Sequence, residues 1–122
     1  MRSSVLRDAM QYILMNLNTD LRVEDIAECV NFSPNYTSHL FRKETGKSIT
    51  AYITEERLSL SKRLLLESPM NVKSIANYIG IPDWNYFIKL FKKDTGMTPT
   101  TWRDEQLKKD KKIKESLKTK KK

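Results

Sequence analysis

Asn35, Ser38, His39 and Arg42 are spaced i, i+3, i+4 and i+7, so on a helix they share one face. Further along, Asn85, Ile88, Lys89 and Lys92 repeat that spacing, with Trp84 at the N-terminal edge. These side chains suit the reading of base edges in a major groove. An asparagine amide can pair bidentately with adenine, and arginine or lysine with guanine. Serine and histidine serve base edges or phosphates, and Ile88 and Trp84 can meet thymine methyls or sugar. Taken singly, each polar residue fits a solvated face equally well, and Trp84 fits a cap over a core. Lys43, Lys47, Lys92 and Lys93 fall near helix ends and suit phosphate contacts, which give affinity without sequence information. Ser33 and Asp83 each precede a helix whose free N–H groups could hold a phosphate. Asp83 would repel a close phosphate, so capping is its expected role, whereas Ser33 is a phosphate candidate.

Other chemistries find little support. The chain has one histidine and one cysteine, and its carboxylates are scattered, so it offers no triad, metal cluster or phosphate loop. No enzyme activity, metal or cofactor is expected. Cys29 lies beside an apolar stripe and is read as structural. A lone cysteine excludes an internal disulfide and fits a reducing cytoplasm. No apolar run approaches the roughly 20 residues that span a membrane, and Arg7 and Asp8 interrupt the first apolar stretch, unlike a signal peptide. The net charge is +8. Residues 103–122 carry ten Lys/Arg against four Asp/Glu, a net of +6, which leaves +2 for residues 1–102. Charge therefore raises the case for a polyanionic partner only modestly.

The elements that must position these residues are helical. Leu6, Met10, Ile13, Leu14 and Leu17 form one stripe of a helix over Val5 to Leu17. Val23 to Val30 is a short helix with Ile26, Ala27 and Val30 inward, and Asn31-Phe32-Ser33 makes a tight turn. Ser33-Pro34 starts a second helix, with a hydroxyl N-cap followed by proline at N1. It runs to about Thr45, buries Thr37, Leu40 and Phe41, and ends at Gly46. A long helix follows, from Ile49 to Glu67, with Ile49, Tyr52, Ile53, Leu60 and Leu64 at helical spacing, and Ser68-Pro69 stops it. The short pair then recurs as Val72–Ile79 and Trp84–Thr95, the latter burying Phe87, Leu90 and Phe91. Thr98-Pro99 starts a last short helix through Trp102. From about Gln106 the chain turns Lys-rich, read as a flexible tail.

The recurrence is an internal repeat. Val23, Ile26, Ala27 and Val30 match Val72, Ile75, Ala76 and Ile79 at an offset of 49. Asn35, Tyr36, Leu40, Phe41, Lys43, Thr45 and Gly46 match Asn85, Tyr86, Leu90, Phe91, Lys93, Thr95 and Gly96 at an offset of 50. One extra residue near Ile81-Pro82-Asp83 accounts for the difference. Helical solenoids usually need three or more copies, and this chain has two. Each unit is two helices joined by a turn of three or four residues, as in a helix-turn-helix. The fold class is therefore all-α: two helix-turn-helix subdomains joined by a long linker helix, about seven helices in all. The linker would measure about 28 Å at 1.5 Å per residue. One turn of B-DNA is about 34 Å, so two recognition helices could reach successive major grooves, with DNA bending absorbing a mismatch.

These residues resemble the AraC/XylS family of bacterial transcription activators. The second unit carries Gly80-Ile-Pro-Asp-Trp-Asn-Tyr-Phe-Ile-Lys-Leu-Phe-Lys-Lys, then Gly96-Met-Thr-Pro and Trp102-Arg103. The first unit is similarly matched from Ile26-Ala27 through Phe32-Ser-Pro-Asn-Tyr to Leu40-Phe-Arg-Lys-Glu-Thr-Gly, and the linker through Tyr52, Arg57, Leu64 and Leu65. The run Ser33-Pro34-Asn35-Tyr36 is most similar to members attached to two-component receiver domains. Asn31 stands where glycine is usual, Ser61 where alanine is, Ile81 where an aromatic is, and Trp102 where tyrosine is. Within the resemblance, residues 1–106 form the DNA-binding domain: 5–47 the first helix-turn-helix, 48–68 the linker, 70–106 the second, and 107–122 the tail. It implies base reading at Asn35, Ser38 and His39 and at Trp84, Asn85, Ile88 and Lys89. It also implies asymmetric promoter sites and contact with RNA polymerase. The expected function is sequence-specific double-stranded DNA binding by a cytoplasmic, monomeric output domain of a longer regulator. A stand-alone activator of the same fold is the alternative, and an RNA-binding or protein-interaction helical module a further one.

Overall fold

A computed structural model describes residues 2–120. Those residues form seven helices: α1 (Arg2–Met15), α2 (Val23–Val30), α3 (Pro34–Thr45), α4 (Ile49–Glu67), α5 (Val72–Tyr78), α6 (Trp84–Thr95) and α7 (Pro99–Lys120). The chain divides after Leu60 into two compact units, so α4 gives its first part to one and its last part to the other.

Helices of seven to twelve residues are marginal in water and persist only by burying an apolar face. In the first unit that burial joins Ala9, Ile13 and Leu17 to Ile26, Phe41, Ile49 and Ile53, and it draws residues from all four helices or their ends. In the second unit Leu65, Ile75, Ala76, Ile79, Phe87 and Phe91 are buried. Ala27 and Ala76 are almost wholly enclosed, as the small residues of a close helix approach. Ser61 is also fully buried, at the position where the family pattern has alanine.

An arginine closes each unit. The Arg57 Nε–H donates to the Leu17 carbonyl at 3.1 Å, and Nη2 donates to the Thr19 carbonyl at 2.7 Å. Arg103 does the same at the end of α4. Its Nε–H donates to Leu65 O at 2.8 Å, and Nη2 donates to Ser68 O at 3.2 Å and Met70 O at 2.7 Å. Leu65 lies in the last turn of α4, where carbonyls lack intrahelical partners and carry partial negative charge, and the other four acceptors lie in the turns that follow α1 and α4. Burial pulls the Arg57 pKa down and Asp20 opposes it, yet guanidinium remains a cation.

Several sequence expectations are corrected. α1 ends at Met15 rather than Leu17. Leu17 is nonetheless buried, in a turn closed by the Thr19 hydroxyl donating to Asn16 O at 2.7 Å. Leu14, assigned to the apolar stripe, is 49% exposed, since Ala9, Ile13 and Leu17 define a narrower one. Cys29, read as structural beside the apolar stripe, is exposed. The last helix does not end near Trp102: α7 continues through the stretch read as a flexible tail, to Lys120.

Both tryptophans, Trp84 and Trp102, belong to the second unit, so their fluorescence reports its unfolding. In urea, Arg103→Ala should lower the stability read this way by about 2 kcal/mol, the scale of lost charged hydrogen bonds to partly buried carbonyls. Arg63→Ala removes only an exposed pair with Glu67 and should stay within about 0.5 kcal/mol. Equal effects of the two would show the clamp to be dispensable.

Candidate nucleic-acid interface

The two helix pairs turn by the same backbone device. Asn31 is left-handed at φ 62° and Gly80 at φ 88°. One residue later, the Phe32 N–H donates to Ala27 O at 3.1 Å, and the Ile81 N–H donates to Ala76 O at 2.9 Å. This six-to-one bond ends a helix through a left-handed residue. Asparagine reaches that conformation at lower cost than other side chains, so Asn31 can stand where glycine would. The offset of 49 changes to 50 only after this bond, at Pro82.

Capping then fixes the start of α3 and α6. Ser33 Oγ accepts from the Tyr36 N–H at 3.1 Å, and Asp83 Oδ1 accepts from the Tyr86 N–H at 3.2 Å. The far ends match as well. The Thr45 and Thr95 hydroxyls each sit within 2.9 Å of the carbonyl four residues back and accept from the N–H two residues on. Phe41 meets the edge of Tyr52 at 5.3 Å, and Phe91 meets the edge of Trp102 at 5.6 Å. Each helix is thus held at both ends and along one side.

What remains outward is the face singled out in the sequence. Thr37, Leu40 and Phe41 are buried, while Asn35, His39 and Arg42 are exposed and Ser38 is half-buried. On α6, Phe87 and Phe91 are buried and Leu90 is half-buried. Asn85, Lys89 and Lys92 are exposed, Ile88 is half-buried, and Trp84 keeps 41% of its surface. Within each unit the named residues therefore fall on one free face of one helix.

The charged candidates differ among themselves. Lys43, Lys92 and Lys93 are exposed in the last turn or two of their helices. Lys47 is engaged: its Nζ lies 2.7 and 2.9 Å from the two Glu55 oxygens. That pair is exposed and worth at most about 1 kcal/mol, so a phosphate could displace Glu55. Ser33 spends an acceptor on the cap but keeps a hydroxyl proton to donate. Asp94, beside Lys93, holds Lys62 at 2.8 Å.

Aromatic edges at the helix starts were missed from the sequence. Phe32 and Tyr36 are 42% and 44% exposed with ring centres 5.0 Å apart, and Tyr86 is 54% exposed. The only signal was the recurrence of tyrosine at 36 and 86. Among the described residues no group of three or more His, Cys, Asp or Glu side chains could hold a metal ion. No described helix is long and apolar enough to cross a membrane.

Comparison with known proteins shows the family and the fold. A family model described as a helix-turn-helix domain matches residues 26–105. The regulatory protein PocR of Salmonella typhimurium is 35% identical over 102 residues, covering 84% of this chain and 34% of that protein. The arabinose operon regulatory protein of the same organism is 36% identical, over 82% of this chain and 36% of its own. The chain thus spans about a third of these relatives. Among solved structures, the C-terminal domain of AraT, a response regulator from Geobacillus stearothermophilus, superposes with a TM-score of 0.78 at 34% identity. That likeness covers 82% of this chain and 84% of that one.

The left-handed turn makes a local test. Asn31→Ala should lower stability by about 1 kcal/mol, because alanine pays the full left-handed cost. Asn31→Gly should match or exceed the parent. Urea unfolding followed by helical circular dichroism would show it, and an alanine variant as stable as the parent would contradict the strain argument.

Proposed function

Because this chain belongs to the AraC/XylS family of helix-turn-helix DNA-binding domains, we propose that it reads an asymmetric double-stranded site through α3 and α6. The observation that carries this reading is the pair of matched scaffolds with unlike outward faces. Asn35, Ser38, His39 and Arg42 read one half-site, and Trp84, Asn85, Ile88 and Lys89 the other. Each helix enters a major groove, successive along the duplex. Lys43, Lys92, Lys93, the Ser33 hydroxyl and Lys47, once released from Glu55, hold phosphates. The domain serves as the output part of a longer cytoplasmic transcription regulator, which the likeness to a response regulator's C-terminal domain supports. It binds DNA as a monomer, since unlike faces need no second copy to read an asymmetric site. RNA polymerase is the protein partner that the family reading adds.

Selection of genomic fragments by the purified chain returns the preferred site, and variants then test the roles. Asn35→Ala and Lys89→Ala should each lose discrimination at one base position, by about 1 to 3 kcal/mol. Lys93→Ala should weaken all duplexes alike and reduce the salt slope by about one unit. Two base-reading variants that keep wild-type discrimination would overturn the assignment. Tighter binding to RNA hairpins than to any duplex would overturn the function.

The second half-site has a more specific signature. Ile88 and Trp84 offer apolar surface where the first unit offers Ser38 and a proline. A thymine methyl buried there contributes about 0.8 kcal/mol. Replacing thymine by uracil in that half-site should weaken wild-type binding about fourfold per contacted base and leave Ile88→Ser nearly unaffected. An equal loss for both proteins would place the methyl elsewhere.

A further inference from the structure

The family match ends at residue 105, but α7 continues to Lys120, and nothing in the proposed reading uses that extension. The start of α7 is anchored, by Trp102 on Phe91 and by Arg103 on the end of α4. From Leu107 to Lys118 every residue is exposed. The 14 residues from 107 to 120 add about 21 Å of helix at 1.5 Å per residue.

Charge is concentrated in this segment. Residues 103–122 hold +6 of the net +8, so residues 1–102 face a polyanion with only +2. Lys108, Lys111, Lys112 and Lys118 share one side of the helix, flanked by Lys109 and Lys114. Acidic side chains share this surface: Lys108 pairs with Glu105 at 3.9 Å and Lys114 with Asp110 at 3.4 Å, and Glu115 lies among the lysines, four residues from Lys111. Both pairs are exposed and exchangeable. The like charges at Lys108/Lys112 and Lys114/Lys118, four residues apart, oppose the helix when it is alone. A row of phosphates would remove that repulsion. The exposed apolar side chains of the segment are Leu107, Ile113 and Leu117, of which Ile113 and Leu117 stand opposite the lysines. That apolar surface is too narrow for the aromatic and leucine-rich face by which a helix lies in a lipid surface.

We infer that residues 107–120 are a second DNA-binding element, a helical arm whose lysines lie along the phosphate backbone beside the half-site read by α6. The inference rests on the proposed DNA reading and adds a partner surface to it. The arm supplies affinity that depends on salt and not on sequence, because lysine neutralises phosphate as a point charge and releases condensed counterions.

The test uses the full chain carrying Lys108→Gln, Lys109→Gln, Lys111→Gln and Lys112→Gln together. Glutamine has similar helix propensity, and circular dichroism checks that the fold is kept. Affinity is measured for the preferred duplex and a scrambled one across salt. The slope of log K against log salt should become shallower by about 2 to 4 units, at about 0.9 per phosphate contact. Both affinities should fall about 10- to 100-fold at 0.1 M salt, with their ratio unchanged. An unchanged slope, with wild-type binding still selective, would overturn the arm and leave the DNA reading standing. Wild-type failure to bind any duplex would overturn both. Tighter wild-type binding to phosphatidylglycerol vesicles than to scrambled duplex at equal salt would assign the lysines to a lipid surface instead.

Discussion

The arginine clamps at Arg57 and Arg103 are what allow helices this short to form fixed units. A pair of helices of eight and twelve residues, or seven and twelve, has too little apolar area to hold itself together. It needs a helix before it and a helix after it, and those two must be tied. The guanidinium does the tying by taking carbonyls of one helix end onto a side chain of another. α4 serves twice. Its first part carries the Arg57 clamp of the first unit, and its last carbonyls receive the Arg103 clamp of the second. The clamps sit one helical turn apart in register, since Arg103 corresponds at an offset of 50 to Ile53 and not to Arg57. The connection each one closes differs too, from Met15 to Val23 in one unit and from Glu67 to Val72 in the other.

Duplication has acted differently on the two sides of each recognition helix. The inner side and the ends are nearly the same in both units: a left-handed residue, a six-to-one bond, a side-chain cap, a threonine hub, and an aromatic edge on a phenylalanine. These are bound by close packing and by the need to satisfy buried backbone groups, so few residues fit. The outer side meets only water in the unbound chain, and no packing term restrains it. Ser38 and His39 have accordingly parted from Ile88 and Lys89.

Much of this was legible because it rests on local signals. Ser33-Pro34, Gly46, Gly96 and the spacing of Thr37, Leu40 and Phe41 mark their helices directly. The outward residues follow by subtraction from the buried ones. The clamps were not legible, because a carbonyl acceptor has no sequence signature. Arg57 stood out only through family pattern. Leu14 was misassigned because a leucine at helical spacing is silent about how wide a face its neighbours can cover. The extension of α7 was misread because its lysines suggest disorder by composition, although lysine and glutamate individually favour helix. Its charge placement, by contrast, was plain in the sequence.

In the proposed reading, affinity and discrimination are carried by different residues for an electrostatic reason. Phosphate contacts hold every duplex alike, whereas contacts to base edges separate one site from another. The anionic cap Asp83 strengthens the start of α6 but repels a phosphate there, whereas α3 is capped by the neutral Ser33. The net +2 of residues 1–102 contributes less to long-range attraction than the +6 of residues 103–122. The lysine-rich part of α7 in the second unit is the element inferred above to supply that attraction. It raises the encounter rate and the general hold on the backbone, and it leaves the choice of bases to side chains whose energies are each about 1 to 3 kcal/mol.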